Sequence, residues 1–402
     1  MVFRLFWIPN KRESDMGKSK TAASVLLLAM VAMTACTSYE DLARERAKRA
    51  RQATGDIRIG LVWEENLDKT HFFKGAELAA DEINGSGGIN GRKIRTVRYV
   101  NDTGSLDRDR QLARKIAADR DVIAVIGHYM DIGAIEASVT YEYSGLVYIS
   151  PAATAVAFSQ HGFQYVFRNT PSDAVNGVEL ADFVKKRGYL KVLVIDDRMV
   201  YGKGLADIFF ERASKIGLNV VARRSYDAMG KEFKSLFAEI KNLQFDAIFL
   251  GGNAPGAGEV IRQARIMGVK APFIGGNGLD VPTIWGIAGK AAEGTITPTV
   301  FHHKETRAAG RAFTDVFFSR YQAYPDTWAA LGYDAIQVLA GVFQKTGTTV
   351  PAVVASHLRF LKDRQGVLGT YSFTRDGDVL GNINEFQVLH NGRYELIEGG
   401  EP

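Results

Sequence analysis

The stretch that decides the fold is residues 57–88, IRIGLVWEENLDKTHFFKGAELAADEINGSGG. Its start, residues 57–63, is a short β-branched apolar run, which is typical of a buried strand. Apolar side chains then recur at the spacing of one helix face, at Phe72, Ala76, Ala79 and Ile83. The glycine-rich turn at residues 85–88 ends this helix. A strand that leads into a covering helix is the repeating unit of parallel sheets, so the stretch predicts an α/β fold.

The same unit recurs along the chain in two series. Further strands of the first series are predicted at residues 94–100, 122–127 and 146–150, with helices at 106–119 and 132–143. The second series begins after residues 169–171, with strands at 192–196, 219–223, 247–251 and 273–276. We therefore expect two lobes, each a parallel sheet flanked by helices.

The C-terminal part breaks this alternation. Helical patterns at residues 308–321, 327–346 and 350–361 precede a strand-like end at 370–396. Because this segment cannot form a third sheet domain, we expect its helices to pack on the first lobe and its strands on the second. The chain then crosses between the lobes three times. The predicted division is residues 56–169 plus 299–367 for the first lobe and 170–298 plus 368–402 for the second.

Charge and cysteine content narrow the function class. Of 50 basic and 45 acidic residues, residues 1–56 hold ten and six, which leaves a nearly neutral body of 40 against 39. A folded body without a basic excess argues against nucleic acid as a partner. The single cysteine, Cys36, allows no intramolecular disulfide, so the lobes must be stable through packing alone.

An apolar run ends at that cysteine, in residues 21–36, TAASVLLLAMVAMTAC. It is too short to span a bilayer comfortably and follows two lysines, so it predicts a cleaved signal peptide at residues 1–35. Met16 offers a second start, with which residues 1–15 would be untranslated. Residues 33–36 resemble the lipobox of bacterial lipoproteins, although Met33 replaces the usual leucine. The resemblance implies a lipid on Cys36 and a protein held on the periplasmic side of a membrane.

The residues after Cys36 complete this prediction. Thr37 stands where an aspartate would retain a lipoprotein at the inner membrane, so the outer membrane is the expected destination. Residues 36–55 are predicted to be a lipid-anchored tether. Their basic part, residues 43–51, ARERAKRAR, is expected to be solvated and to lie near lipid headgroups.

Several motifs in collinear order resemble the periplasmic branched-chain amino-acid-binding proteins, the leucine-binding family of solute receptors for ABC transporters. They are FKGAELA at 73–79, DEIN at 81–84, GGING at 87–91, VIGH at 125–128, ISP at 149–151, AT at 153–154, FR at 167–168, PSD at 171–173, Asp197, YGKGL at 201–205, AAEG at 291–294 and YDA at 333–335. The resemblance implies a type I periplasmic binding protein fold that closes on a small solute. It also implies an ABC permease as partner and no cofactor.

Candidate ligand contacts of the first lobe lie after its strands, because open parallel sheets bind ligands outside the carboxyl ends of their strands. Trp63 and Phe72 flank one such loop and either close one side of the pocket or belong to the core. By resemblance, Thr154 and its neighbour Ala153 grip the ligand's carboxylate, with an ordinary helix N-cap as the alternative for Thr154. Asp131 stands where the family carries a serine that donates to this carboxylate. It is either the N-cap of helix 132–143 or a partner for a hydroxyl, an amine or another donor on the ligand.

Candidate contacts of the second lobe also depart from the family. By resemblance, Tyr201 reaches into the cleft, with a packed surface position as the alternative. Asn253 stands where an aromatic is usual, and Asn277 stands where a glutamate pairs with the ligand's ammonium, although both are also common loop residues beside glycines. An amide accepts a hydrogen bond but cannot neutralise a buried cation. The missing glutamate at Asn277 and the added acid at Asp131 together predict a cleft whose polarity differs from that of an α-amino-acid site. The alternative is that an amino acid binds in a changed orientation, with its ammonium on Asp131.

The expected function is a solute-binding lipoprotein of an ABC transporter of the branched-chain amino acid type, which captures an amino acid or a related polar solute. A sensor or docking lipoprotein with the same fold and no transport role is the alternative. An enzyme is not expected. Residues 252–258 lack the spacing of a dinucleotide or phosphate loop, and the pair His302-His303 has no carboxylate or cysteine at metal-ligand spacing.

Overall fold

The computed structural model describes residues 38–397 except 68, 102–104, 305–306 and 382–383. The predicted signal peptide and Cys36 lie outside the described residues. The helices are α1 (Tyr39–Gln52), α2 (Phe72–Gly85), α3 (Leu106–Ala118), α4 (Asp131–Tyr143), α5 (Asp173–Lys186), α6 (Val200–Lys215), α7 (Lys234–Ile240), α8 (Gly256–Ile266), α9 (Pro282–Ala288), α10 (Ala308–Tyr321), α11 (Thr327–Thr346) and α12 (Pro351–Arg359). Of the helices that the structure describes, none is both long enough and apolar enough to cross a membrane.

The strands form two main sheets and one small sheet. They are β1 (Ile57–Glu64), β2 (Ile94–Asn101), β3 (Val122–Gly127), β4 (Val147–Ser150), β5 (Val166–Arg168), β6 (Lys191–Asp196), β7 (Asn219–Ser225), β8 (Ala247–Gly251), β9 (Phe273–Gly275), β10 (Ile296–Thr299), β11 (Arg364–Gly366), β12 (Gly369–Phe373), β13 (Val379–Leu380), β14 (Glu385–His390) and β15 (Arg393–Leu396). The first sheet has the order β2-β1-β3-β4-β5 and is parallel throughout. The second has the order β15-β14-β10-β9-β8-β6-β7, with β14 and β15 antiparallel at its edge.

The two sheets confirm the predicted α/β class. Strands β3 and β4 are buried along their whole length, as strands covered by helices on both faces should be. The chain crosses between the sheets three times, after β5, after β10 and after β13. Each sheet with its packed elements is called a lobe below.

Helix α11 crosses α2 on the first lobe at very close range. A Cβ atom at Gly75 would overlap the backbone carbonyl of Ala329, and one at Gly332 would lie 2.8 Å from the carbonyl oxygen of Phe72. The two helices therefore approach backbone to backbone, which only glycine permits at these positions.

We expect Gly75→Ala to lower the free energy of unfolding by about 1–3 kcal/mol, because the added methyl group forces the two helices apart. Alanine's higher helix propensity, about 1 kcal/mol, acts in the opposite direction. Gly85→Ala in the same helix is the control, since a Cβ there meets nothing within 4 Å. Urea denaturation of both variants measures the difference, and equal stabilities would contradict the close crossing.

The small sheet, β11-β12-β13, packs on the first lobe. Asp334 on α11 accepts hydrogen bonds from the backbone N–H groups of Val367 and Leu368, both at 3.0 Å, and from the hydroxyl of Tyr371 at 2.7 Å. The N–H of Arg168 donates to the carbonyl of Gly377 at 3.0 Å. The assignment of residues 368–380 to the second lobe is therefore wrong. The return to the second sheet begins at β14, because the buried carboxylate of Asp334 fixes the turn before β12 to α11 and Gly377 after β12 is bonded to β5.

The predicted solvated tether is also wrong over α1. This helix packs on the first lobe with Leu42, Arg46 and Ala50 buried. The Arg46 guanidinium donates to the backbone carbonyls of Val122 at 2.8 Å, Ala117 at 2.6 Å, Asp119 at 3.1 Å and Ser144. The basic composition of this stretch predicts solvent-exposed charges, whereas Arg46 is buried and donates to carbonyls at the ends of neighbouring elements.

Candidate functional site

The carboxyl ends of β1, β3 and β4 face those of β6, β8 and β9 across the boundary between the lobes. The lobes touch there. The indole N–H of Trp328 on α11 donates to the carbonyl of Asp280 at 2.8 Å, and the hydroxyl of Tyr129 lies 3.5 Å from Oδ1 of Asn253. Helices α4 and α6 are also in contact across the boundary. This is a closed arrangement of a two-lobed cleft.

An aromatic cluster forms one wall of this boundary. Trp63 stacks on Phe72 with ring centroids 4.2 Å apart, and it lies 5.5 Å from both Tyr129 and Trp328. Tyr129 and Trp328 are 5.3 Å apart. Trp63, Tyr129 and Trp328 therefore contact one another, and Phe72 joins the cluster through Trp63. Phe72 is fully buried, and the indole N–H of Trp63 is bound to the hydroxyl of Thr70 at 2.8 Å, so both belong to the core as well as to the wall.

Asp131 is the first residue of α4, and it is 5% exposed. Its Oδ1 accepts a hydrogen bond from the backbone N–H of Ala155 at 2.7 Å, in the loop after β4. The N-cap position belongs to Met130, and no side chain caps the helix, so the N-cap alternative for Asp131 is wrong. Burial raises the pKa of the Asp131 carboxyl, and the hydrogen bond from Ala155 opposes that rise.

Thr154 and Asp173 are buried beside Asp131 with unused acceptors. Among the described residues, no hydrogen bond of good geometry reaches Oγ1 of Thr154 or either carboxylate oxygen of Asp173, although the Thr154 hydroxyl is near enough to Asp173 to lower its pKa in part. The backbone N–H of Asp173 donates to the carbonyl of Thr154 at 2.7 Å, which joins the loop after β4 to the first crossover. Thr154 caps no helix, since the short 3₁₀ turn that follows has Ala155 as its N-cap. Burial and the charge of Asp131 raise the pKa of Asp173 well above its usual range.

Arg168 is the positive charge nearest these two acids, and it is fully buried. Its guanidinium pairs with Asp378 at 2.5 Å and donates to the carbonyls of Ala153 at 3.2 Å and Ala155 at 2.9 Å. A fourth bond reaches the hydroxyl of Ser159 at 2.7 Å. Arg168, at the end of β5, thus fixes the loop of Ala153 and Thr154 through its backbone carbonyls.

On the second lobe, Tyr201, Asn253 and the loop of Asn277 pack together. The Tyr201 hydroxyl accepts from the backbone N–H of Gly278 at 3.0 Å, and a Cβ at Gly278 would lie 2.5 Å from Oδ1 of Asn253. Tyr201 is 4% exposed, so the alternative of a surface tyrosine is wrong. Oδ1 of Asn277 is buried and has no hydrogen-bond partner within the described part of the chain. Asp197 caps the loop before α6 by accepting from the N–H of Met199 at 2.9 Å, and burial raises its pKa to about 6.

The structure therefore brings the predicted residues together in three groups. Asp131, Ala153 and Thr154 share one loop cluster, Tyr201, Asn253 and Asn277 share another, and Trp63 and Phe72 lie in the aromatic wall. Tyr129 connects the groups through Trp63 and Asn253. Whether these residues touch a ligand stays a prediction.

Sequence reasoning missed four residues of this boundary: Tyr129, Asp173, Asp197 and Trp328. Tyr129 lies in a loop that was itself predicted to face the cleft, and the two aspartates lie in motifs that the family resemblance singled out. Trp328 comes from a helix far along the chain, and no local pattern indicates its position. In the part of the chain that the structure describes, no group of three His, Cys, Asp or Glu side chains is placed to hold a metal ion.

Comparisons with known proteins agree on one family. A model of the family described as periplasmic binding protein matches residues 69–392. The Leu/Ile/Val-binding protein homolog 1 of Brucella suis is 32% identical over 332 residues, which cover 81% of this chain and 88% of that protein. The Leu/Ile/Val-binding protein of Escherichia coli is 31% identical over 311 residues, or 77% of this chain and 83% of that protein.

Solved structures give the same result. An ABC transporter substrate-binding protein from Desulfitobacterium hafniense in complex with Leu has a TM-score of 0.76 at 32% identity, with 85% of this chain and 100% of that chain covered. The branched-chain amino acid transporter substrate binding protein of Streptococcus pneumoniae in complex with isoleucine has a TM-score of 0.78 at 29% identity, with 85% and 99% covered.

Proposed function

This chain belongs to the periplasmic binding protein family, and from that premise we propose that it is the solute receptor of an ABC transporter of the branched-chain amino acid type. It captures a small polar solute, an amino acid or a related compound, between its lobes and presents the closed complex to the permease. The relatives named for Leu, Ile and Val, and those solved with Leu or isoleucine, support this class of solute and transporter.

One observation carries the proposal: where the lobes meet, the described residues include buried polar atoms that make no hydrogen bond of good geometry. Thr154 Oγ1, the Asp173 carboxylate and Asn277 Oδ1 come from both lobes and from the crossover between them. Leaving such groups unpaired costs free energy, and a bound solute that pairs with them stabilises the closed form over the open one. Ligand capture and lobe closure are then one equilibrium.

The periplasm is the compartment of the family, and the remaining parts of the proposal concern attachment. We place a signal peptide at residues 1–35 and a lipid on Cys36, with the outer membrane as its destination. These rest on the sequence of residues 21–37, since no described residue bears on them. A sensor or docking lipoprotein remains the second candidate, which the changed residues Asp131 and Asn277 favour.

The test is ligand binding by the purified protein, read by intrinsic fluorescence and thermal unfolding. Trp63 and Trp328 lie at the lobe boundary and should report closure. We expect at least one solute among aliphatic and polar amino acids, their amides and the corresponding amines to give a saturable change. The melting temperature of the protein should rise with this solute, because a ligand at 100 times its Kd stabilises the native state by about 2.7 kcal/mol.

Thr154→Val tests whether that solute binds at the lobe boundary. The valine side chain has the same shape but no hydroxyl, so we expect affinity to fall about tenfold with only a small change in apo stability, because among the described residues the hydroxyl makes no hydrogen bond of good geometry and is merely near the Asp173 carboxyl. The matched control is Thr314→Val, which removes another buried hydroxyl without a partner, on α10. If no solute binds, transport is contradicted and the sensor or docking role takes its place.

A further inference from the structure

We propose that the cleft receives a small organic cation that donates N–H hydrogen bonds and carries no carboxylate, held between Asp131 and Asp173 on one side and Asn277 on the other. This inference rests on the proposed function, since it names the chemical class of the solute. It departs from the amino acids after which the relatives are named.

The first step is that the backbone donors after β4 are already used within the protein. The N–H of Ala155 donates to the Asp131 carboxylate, and the N–H groups of Ala152 and Ala153 donate to the hydroxyl of Ser150 at 3.4 and 3.0 Å. Free N–H groups at a strand end would suit a ligand's carboxylate. Here Asp131 itself supplies the carboxylate, so a second one from a ligand would meet a like charge.

The second step is that the unused groups are acceptors. Among the described residues, no hydrogen bond of good geometry reaches either oxygen of Asp173, which is 1% exposed, or Oγ1 of Thr154, which is fully buried. The Thr154 hydroxyl is near enough to Asp173 to act as a donor and lower its pKa, which still leaves acceptor positions on both side chains unused. A carboxylate buried in this state is costly, and an N–H donor with a positive charge offsets that cost most effectively. Asn277 Oδ1 adds a further unused acceptor from the second lobe.

The third step is that the protein's own cation is committed elsewhere. The four partners of Arg168 are Asp378, Ser159 and the carbonyls of Ala153 and Ala155. The positive charge of Arg168 is already paired with Asp378, so it does not balance the charges of both Asp131 and Asp173. Asp197 on the second lobe adds to the negative field and raises the pKa of Asp131, whose own charge raises the pKa of Asp173.

The fourth step concerns size. The rings of Trp63, Tyr129 and Trp328 are in mutual contact at 5.3 to 5.5 Å, so the space between them is filled by this chain. No room remains among these three rings for an aliphatic side chain, and the ligand must be accommodated beside the acids instead. A primary ammonium or a guanidinium on a short chain meets these conditions.

Pairs of compounds that differ only in a carboxylate test the proposal by calorimetric titration. The pairs are leucine with 3-methylbutylamine, valine with 2-methylpropylamine, and arginine with agmatine. We expect at least one amine to bind ten times or more tightly than its amino acid. An amino acid that binds as tightly as its amine, or more so, overturns this inference and leaves the proposed function standing. Binding of none of these compounds overturns this inference, and the proposed function is contradicted only if the wider panel of solutes also fails to bind.

Variants at Asp131 separate its charge from its shape. Asp131→Asn keeps the shape and removes the charge, so the preferred amine should lose at least tenfold in affinity. Asp131→Ser releases the Ala155 N–H and should shift the preference toward the amino acid of the same pair. Asp109→Asn is the control, because Asp109 is a buried acid outside the cleft, bound to Asn101 at 2.6 Å, and amine binding should not change. An unaltered preference in Asp131→Ser would contradict the assigned role of Asp131.

Discussion

Arg168→Met should lower the free energy of unfolding by about 2–4 kcal/mol, because it removes a fully buried guanidinium whose ion-pair partner, Asp378, is 30% exposed, and breaking a fully buried pair costs about 3–5 kcal/mol. The methionine fills most of the space but donates no hydrogen bond. Asp378 then loses its partner, and the carbonyls of Ala153 and Ala155 lose their donors. The loop of Thr154 and the turn at Gly377, which accepts from the Arg168 N–H, are held through this one residue.

Urea denaturation with intrinsic fluorescence measures this loss. The control is Arg212→Met, because Arg212 also makes a two-pronged pair, with Asp182 at 2.9 Å for both bonds, but on the surface. An exposed pair of this kind is screened by solvent and contributes little to stability. If the two variants lose equal stability, the central position of Arg168 is contradicted.

Arg46→Met should also lower the free energy of unfolding by several kcal/mol, because four backbone carbonyls at the edge of the first lobe lose a charged donor. Each hydrogen bond to a charged group is worth about 1.5–3 kcal/mol, and relaxation toward water offsets part of the sum. Burial lowers the pKa of Arg46 only to about 10, so the side chain is charged at neutral pH.

The control for Arg46 is Arg44→Met, two residues earlier in α1. Arg44 is exposed and pairs only with Asp41 within its own helix, so its loss should change stability by less than about 0.5 kcal/mol. Limited proteolysis gives a second measurement, since α1 should become cleavable in Arg46→Met and stay protected in Arg44→Met. If Arg46→Met left the stability unchanged, the docked position of α1 would be contradicted and the prediction of a solvated tether would stand.

A docked α1 changes the picture of attachment. Only Thr37 separates Cys36 from Ser38, whose side chain caps α1 through the N–H of Asp41. A lipid on Cys36 would therefore join a helix that is part of the first lobe. The receptor would sit close to the membrane in one orientation, with its second lobe free to close.

Much of the fold was predictable because it depends on local patterns. Helices α10 and α11 and strands β3 and β8 begin and end at the predicted residues. Strands β5 and β10 were not predicted, since β5 has three residues and β10 contains a proline, and neither forms a long apolar run. The candidate site was predictable where a residue follows a predicted strand, as Asp131 and Thr154 do.

What the sequence by itself determined is therefore the alternation of strands and helices, the two lobes and the loops that face the cleft, because periodicity and strand ends are local properties. Only the tertiary structure decided which polar groups are used and which are left over. Asp131 accepts a hydrogen bond from the N–H of Ala155, Arg168 pairs with Asp378, and Arg46 donates to the carbonyl of Val122. In each pair the two residues lie far apart in the chain. Such pairings depend on which elements meet in space. Whether a charged side chain is solvated, paired within the core or free to contact a ligand depends on these tertiary contacts.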